Sequence, residues 1–307
     1  MTRLGAAASA GVLGGMAALQ GPINGRLGHS VGVLVASTSS FLSGLVVLVI
    51  ASVCVSGVGS VAGLPRRLSG VSLVDLAGGL IGGTYVLVAV LTVDDLGAGG
   101  LAAASVAGTL LGAVLIDWRG FVGVRRRVPT ARTWFGVALL LVATAVISGG
   151  EAKGLEVLPA TCALLAGILV AFQPPVNSRL ALRVGGLGAA VAQTCVGCLY
   201  LFVISAVVLI FGHDGGSGAP VPWWALLGGP LGAVYVMATL KAVPVIGAAG
   251  VAAATIAGGL LFGIAADALG ILDLTVVTIG VGRLGGVAML AAGAGLVLWP
   301  LGHEGGP

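Results

Sequence analysis

Residues 18–28 read ALQGPINGRLG, and residues 171–181 read AFQPPVNSRLA. Six of the eleven positions coincide: Ala18/Ala171, Gln20/Gln173, Pro22/Pro175, Asn24/Asn177, Arg26/Arg179 and Leu27/Leu180. Alanine-rich segments can match by composition alone, but coincidences at Gln, Pro, Asn and Arg cannot, so the chain repeats itself. A longer pair extends the repeat. GAGGLAAASVAGTLLGAVLID at 97–117 faces GAAGVAAATIAGGLLFGIAAD at 247–267, with eleven of 21 positions shared, the last being Asp117/Asp267. Between the two blocks Gly79, Gly82, Tyr85 and Val86 correspond to Gly229, Gly232, Tyr235 and Val236.

The solvent of this repeat is lipid. Charged residues make up 8% of the chain, against roughly 25% in a soluble domain. The mean hydropathy is +1.17. The 55 glycines also suit membrane helices, where small residues let backbones approach. Crossing a bilayer takes about 20 apolar residues. Ten such stretches are predicted, at about 4–22, 31–55, 71–92, 97–117, 131–148, 157–175, 188–211, 223–240, 246–268 and 283–300. Breaks fall where Pro, Gly and charge gather: Leu64 to Arg67, Asp94–Asp95, Arg125 to Arg127, Gly149 to Glu156 and His213 to Pro222. The first stretch resembles a signal peptide, but its continuation recurs in mid-chain, so it reads as the first helix.

The predicted fold is therefore an all-α membrane protein with ten transmembrane helices, arranged as two five-helix repeats at 1–150 and 151–307. An odd number of helices per repeat inserts the halves in opposite orientations, the inverted-repeat arrangement of many secondary transporters. With the N-terminus inside, the cytoplasmic loops carry 11 Arg and Lys residues and the outer loops carry Arg26, Lys153 and Arg283. That bias places both termini in the cytoplasm, with the chain a multi-pass protein of a bacterial plasma membrane.

The Q-x-P-[IV]-N-x-R-L signature of each half resembles the YdcZ family of the drug/metabolite transporter superfamily. So do the Gly-rich third helix with its Tyr and the Gly/Ala fourth helix ending in Asp. The resemblance covers nearly the whole chain as a tandem of two family units. It implies a ten-helix transporter fold and leaves the substrate unspecified.

Gln20 and Asn24, like Gln173 and Asn177, lie four apart and share a helix face. Pro22 and Pro175 loosen the helix beside them and free carbonyl groups. These four residues, with the repeated Tyr85 and Tyr235, are the candidate substrate-binding set. Gln193, Thr84, Thr239 and the Ser37–Ser40 run are further polar candidates, although Ser and Thr often bond only their own helix. Arg26 with Asp267 on the outside, and Arg179 with Asp117 on the inside, are the candidate gates. Helix-end chemistry is the plainer alternative, and Asp117 could pair with Arg119. Asp75, near a helix start, is the acidic residue nearest to mid-membrane. The superfamily's small multidrug-resistance proteins use an embedded Glu in the first helix. Gln20 or Gln173 stands there instead, which disfavours export of hydrophobic cations and favours a small polar or zwitterionic metabolite.

The chain reads as a secondary transporter rather than an enzyme. A non-transporting structural or partner-binding membrane protein is the rival, and a polar pocket lined by both motifs would separate the two. Cys54, Cys162, Cys195 and Cys198 lie in apolar runs and read as packing residues. His29, His213 and His303 have no ligand-spaced companions, so neither a metal nor a cofactor is expected. G-x-G-x-x-G at 280–285 follows no strand and is discarded as a dinucleotide site. Expected partners are membrane lipid and a small solute; nucleic acid is excluded, and a homodimer is left open.

Overall fold

The computed structural model describes residues 2–148, 157–211, 215–269 and 281–298. Among the described residues all regular structure is helical. The helices are α1 (Arg3–Val31), α2 (Val33–Ser56), α3 (Val58–Ala62), α4 (Leu64–Leu68), α5 (Leu73–Arg119), α6 (Ala131–Ser148), α7 (Val157–Val170), α8 (Gln173–Val184), α9 (Gly186–Phe211), α10 (Gly228–Leu269) and α11 (Val281–Leu298). Short 3-10 turns at Phe121–Gly123 and Trp223–Leu226 join some of them.

Three helices are long and apolar enough to cross a bilayer unaided: Val33–Ser56, Val157–Val184 and Gly186–Ile210. A fourth candidate is Val58–Leu68 joined to Leu73–Ala89 through a 114° bend. The remaining apolar helices, such as Ala131–Thr144 and Leu284–Val297, are shorter. Large apolar side chains face outward along these helices, including Ile50, Leu165, Phe202 and Ile210. In water such a surface would aggregate; in a bilayer it is the solvated face.

Helix ends follow local chemistry. Ser72 caps α5, its hydroxyl accepting from Asp75 N. Gly32 (φ 89°) closes α1 and Gly185 (φ 82°) closes α8, a backbone region that favours glycine. Those glycines stand 153 positions apart, the spacing of the two motifs. The motif prolines act unequally. α1 runs through Pro22 to Val31, whereas the second copy breaks at Ala171–Phe172 and restarts with proline in its first turn. Pro174–Pro175 removes two successive donors where Gly21–Pro22 removes one.

Four of the expected spans are joined in pairs. α10 holds two segments separated at Gly247, whose φ of 78° and ψ of 173° are not helical. α5 also doubles back. Gly78 and Gly82 lie against Asn177 and Gln173, whereas Ser105, Gly108 and Gly112 lie against Gly167, Leu164 and Ile168. A straight helix would hold residues 82 and 108 roughly 39 Å apart, yet their partners 173 and 164 are only about 14 Å apart along a helix. The first segment of α5 runs antiparallel to α7–α8 and the second runs parallel to it. The side chains of Asp94 and Asp95 lie outside the described residues, and the 150/151 boundary falls within the undescribed 149–156.

α10 meets α1 in the same manner. Gly228 and Gly232 lie against Asn24 and Gln20, and Thr255, Gly258 and Phe262 lie against Gly14, Gly11 and Gly15. The first helix of each sequence half therefore seats on the third and fourth segments of the other half. Two main cores result. Leu110, Ile116, Leu140 and Ala253 centre one, and Leu48, Leu180, Ala190 and Ala233 the other, each drawing on both halves.

Candidate functional site: two crossed seats for the repeated motif

Each Q-x-P-x-N motif rests on a glycine face, and the glycines explain how closely. A β-carbon on Gly82 would come within 2.6 Å of Gln173 Nε2, and one on Gly232 within 2.7 Å of Gln20 Nε2. Gln173 Nε2 donates to the Gly78 carbonyl at 3.1 Å. The Asn177 side chain packs directly on Gly78, and that of Asn24 on Gly228. Both asparagine Oδ1 atoms are buried and accept no hydrogen bond from the protein. A buried acceptor without a donor is costly, on the order of 1–3 kcal/mol. Between the seats, Tyr85 lies beside Ser105 and Tyr235 beside Thr255, with the two tyrosines within electrostatic reach of each other.

The seat under Asn177 carries polar machinery that the other lacks. Asp75 is fully buried, and Arg179 Nε lies 2.8 Å from its Oδ1, with Arg183 Nη1 3.6 Å from Oδ2. Gln193 of α9 then grips the same turn of α5. Its Oε1 accepts from Gly79 N at 2.7 Å, and its Nε2 donates to Asp75 O at 2.6 Å. Those are the two groups that an α-helix joins to each other, so the glutamine amide bridges one rung of the ladder. On the second seat the equivalent positions are Ala225 for Asp75, Ser40 for Gln193 and Ser30 for Arg183. Arg26, the equivalent of Arg179, donates to Ser30 Oγ at 3.4 Å.

The gate pairing anticipated for Arg179 and Asp117 is not the contact that Arg179 makes in this structure. Arg179 turns to Asp75, because α8 lies across the first turn of α5. Asp117 instead serves the break at Gly247, where a restarting helix offers free N–H groups. Its Oδ2 accepts from Ala249 N at 3.0 Å. Arg127 completes the joint, donating from Nη1 to the Ile246 carbonyl at 2.7 Å. Acid at a helix start and base at a helix end both suit the helix dipole. Arg119 lies over the Trp118 ring. The proposed outer pair cannot be followed, since the Asp267 side chain lies outside the described residues, as does that of Thr239.

The substrate-binding candidates are brought together in mirrored pairs, five of them partly exposed and Asn177 buried. An open groove of about 540 Å³ lies between α1, α10 and α11. Its walls are apolar, with Leu4, Val12, Leu261 and Phe262 among them, and it includes no motif residue. Thr84 donates to Tyr200 at 3.3 Å and Thr38 meets Ser205 at 2.9 Å, whereas Ser37 bonds its own helix at Val33 O. Among the described residues no His, Cys, Asp and Glu cluster could hold a metal ion.

Sequence reasoning passed over the Asp75–Arg179 pair and the Gln193 bridge. The available signals were a glutamine inside an apolar run and an aspartate three residues before paired glycines.

Comparison with known proteins agrees with this architecture. A family model described as "Putative inner membrane exporter, YdcZ" matches twice, over residues 6–146 and 158–296. A solved structure titled only "Crystal structure of protein" is similar with a TM-score of 0.66 at 19% identity, covering 95% of this chain and 94% of that one. Among curated proteins nothing matches.

Proposed function

The chain belongs to the YdcZ family, and from that premise we propose that it is a secondary transporter exporting a small polar or zwitterionic metabolite across the bacterial plasma membrane. Two five-helix halves, 1–150 and 151–307, lie inverted in the bilayer as ten spans with both termini cytoplasmic. They exchange two arrangements, one open to each side. A single observation carries the reading: the two motif copies occupy matched seats, each built by the opposite half. Such seats can trade places, which is what alternating access requires.

Gln20, Asn24, Tyr85, Gln173, Asn177 and Tyr235 are assigned to the solute path. Glycine faces permit sliding, and the orphaned Asn24 and Asn177 oxygens supply acceptors for a solute N–H or for water. Arg26 and Asp267 keep the role of outer gate. Arg179 keeps that of inner gate, with Asp75 as its acid, and Asp117 keeps a supporting role at the Gly247 joint.

The test is a thermal-shift screen of the purified protein against a metabolite library, repeated on Gln20→Ala and Gln173→Ala. A solute should raise the melting temperature of the parent, and each substitution should weaken its binding by about tenfold, or roughly 1.4 kcal/mol. Stabilisation indifferent to both substitutions would place the solute elsewhere. In parallel, impermeant thiol labelling of cysteines placed at Arg26 and Arg179 should mark opposite faces of the membrane; labelling from one face would refute the inversion.

A further inference from the structure

Asp75 occupies the third position of α5, three residues after the capping Ser72. In that position an acid commonly reaches back to the backbone N–H of the cap. Asp75 does not. Neither carboxylate oxygen accepts a hydrogen bond from the protein, although both are buried. Arg179 approaches Oδ1 to 2.8 Å without hydrogen-bond alignment, and Arg183 stands farther off at 3.6 Å from Oδ2. The carboxylate is thus held by charge alone.

The burial of the pair is lopsided. The Asp75 side chain is 0% exposed, whereas the side chains of Arg179 and Arg183 are 39% and 46% exposed. Separating them asks little of the arginines, which are already partly exposed. The aspartate would be left as an unpaired charge in an apolar setting, which is prohibitive unless it is neutralised. Among the described residues, the charged groups facing it are those two arginines of α8. α9 presents the neutral Gln193, and the neighbouring core offers Leu48 of α2, Leu64 of α4 and Ala233 of α10. Arg66 and Arg67 of α4 are exposed. No second acid is at hand there to receive the charge.

We infer that Asp75 is the proton-binding group of the transport cycle, and that the inner mouth opens only while its carboxylate carries a proton. One proton adds to one oxygen, the ion pair with Arg179 is lost, and α8 is released from the first turn of α5. Loss of the proton restores the pair and shuts the mouth. The inference rests on the transporter reading above, and it adds the residue whose protonation opens the inner mouth.

The test needs no knowledge of the solute. Ser178, buried beside Arg179, is changed to cysteine in a chain whose four native cysteines are alanine. Inverted membrane vesicles are treated with an impermeant maleimide across a range of pH. Thiol chemistry alone slows as pH falls, because the thiolate is the nucleophile. A labelling rate that rises on acidification therefore reports opening. Asp75→Asn should label about tenfold faster than the parent at neutral pH, the signature of a shifted two-state population, and should lose the acid-induced rise. Asp75→Glu should restore it. A rate that only falls with pH in the parent, or an Asp75→Asn rate equal to the parent's, overturns the inference while leaving the transporter reading intact. Should Asp75→Asn fail to accumulate in the membrane, the parent's own pH profile decides the matter. Loss of the solute effect on Gln20 or Gln173 would leave this readout unchanged, so the two ideas fail separately.

Discussion

Glycine 78 and glycine 25 have the same side chain and opposite tolerances. A β-carbon on Gly78 would collide with Asn177 Oδ1 and come within 2.9 Å of Gln193 Oε1, whereas one on Gly25 would meet nothing within 4 Å. Gly78→Ala is expected to destabilise by about 1–3 kcal/mol through overpacking. Gly25→Ala should be neutral or stabilising by about 0.5–1 kcal/mol, since it only reduces backbone freedom in a helix. Melting temperatures in detergent measure both; equal shifts would show that the seat is not tightly packed. The sequence made the motif residues legible through their recurrence. It could not reveal what they touch, because Gln173 and Gly82 lie 91 positions apart and no local rule links them. Gln193 illustrates the gap most clearly. Its amide bridges a backbone rung of α5, a role that depends on two glycines of a distant helix and leaves no periodic trace in its own.

Elements were more legible than contacts. The apolar stretches expected from the sequence correspond to helices, and the break expected near residues 241–245 occurs at Gly247. Tertiary packing decided the details. α1 runs on through a single proline, and α7 and α8 part where two prolines adjoin. Asp117 gained its role from the Gly247 break, a partner 130 residues away that helix-end reasoning could not supply. As a cap, it makes a prediction that a gate does not. Asp117→Ala should cost about 1–2 kcal/mol of stability, whereas Asp117→Asn, which still offers an oxygen to Ala249 N, should cost only a fraction of that. Thermal denaturation separates the two. Were Asp117→Asn instead stable but freely permeable at the inner mouth, the capping role would give way to gating.

At the scale of the whole molecule, neither half is self-sufficient. α1 seats on α10 and α7–α8 seats on α5, so each half expressed alone would leave its glycine faces bare to lipid. Residues 1–150 and 151–307 produced separately are expected to be degraded or to aggregate. Produced together from two genes they should assemble into one particle, read by size-exclusion chromatography of a singly tagged half. A monodisperse lone half would contradict the crossed seating.

Two flawless copies of one repeat would balance like a level beam, spending equal time tipped either way. This chain is weighted on one arm. Asp75, Arg183 and Gln193 stand on one seat where Ala225, Ser30 and Ser40 stand on the other. Every 1.4 kcal/mol of such bias multiplies one tilt over its mirror image by about ten. In the proposed alternating cycle this bias is a parking position built into the primary structure, and planting an acid at Ala225 should bring the beam back toward level.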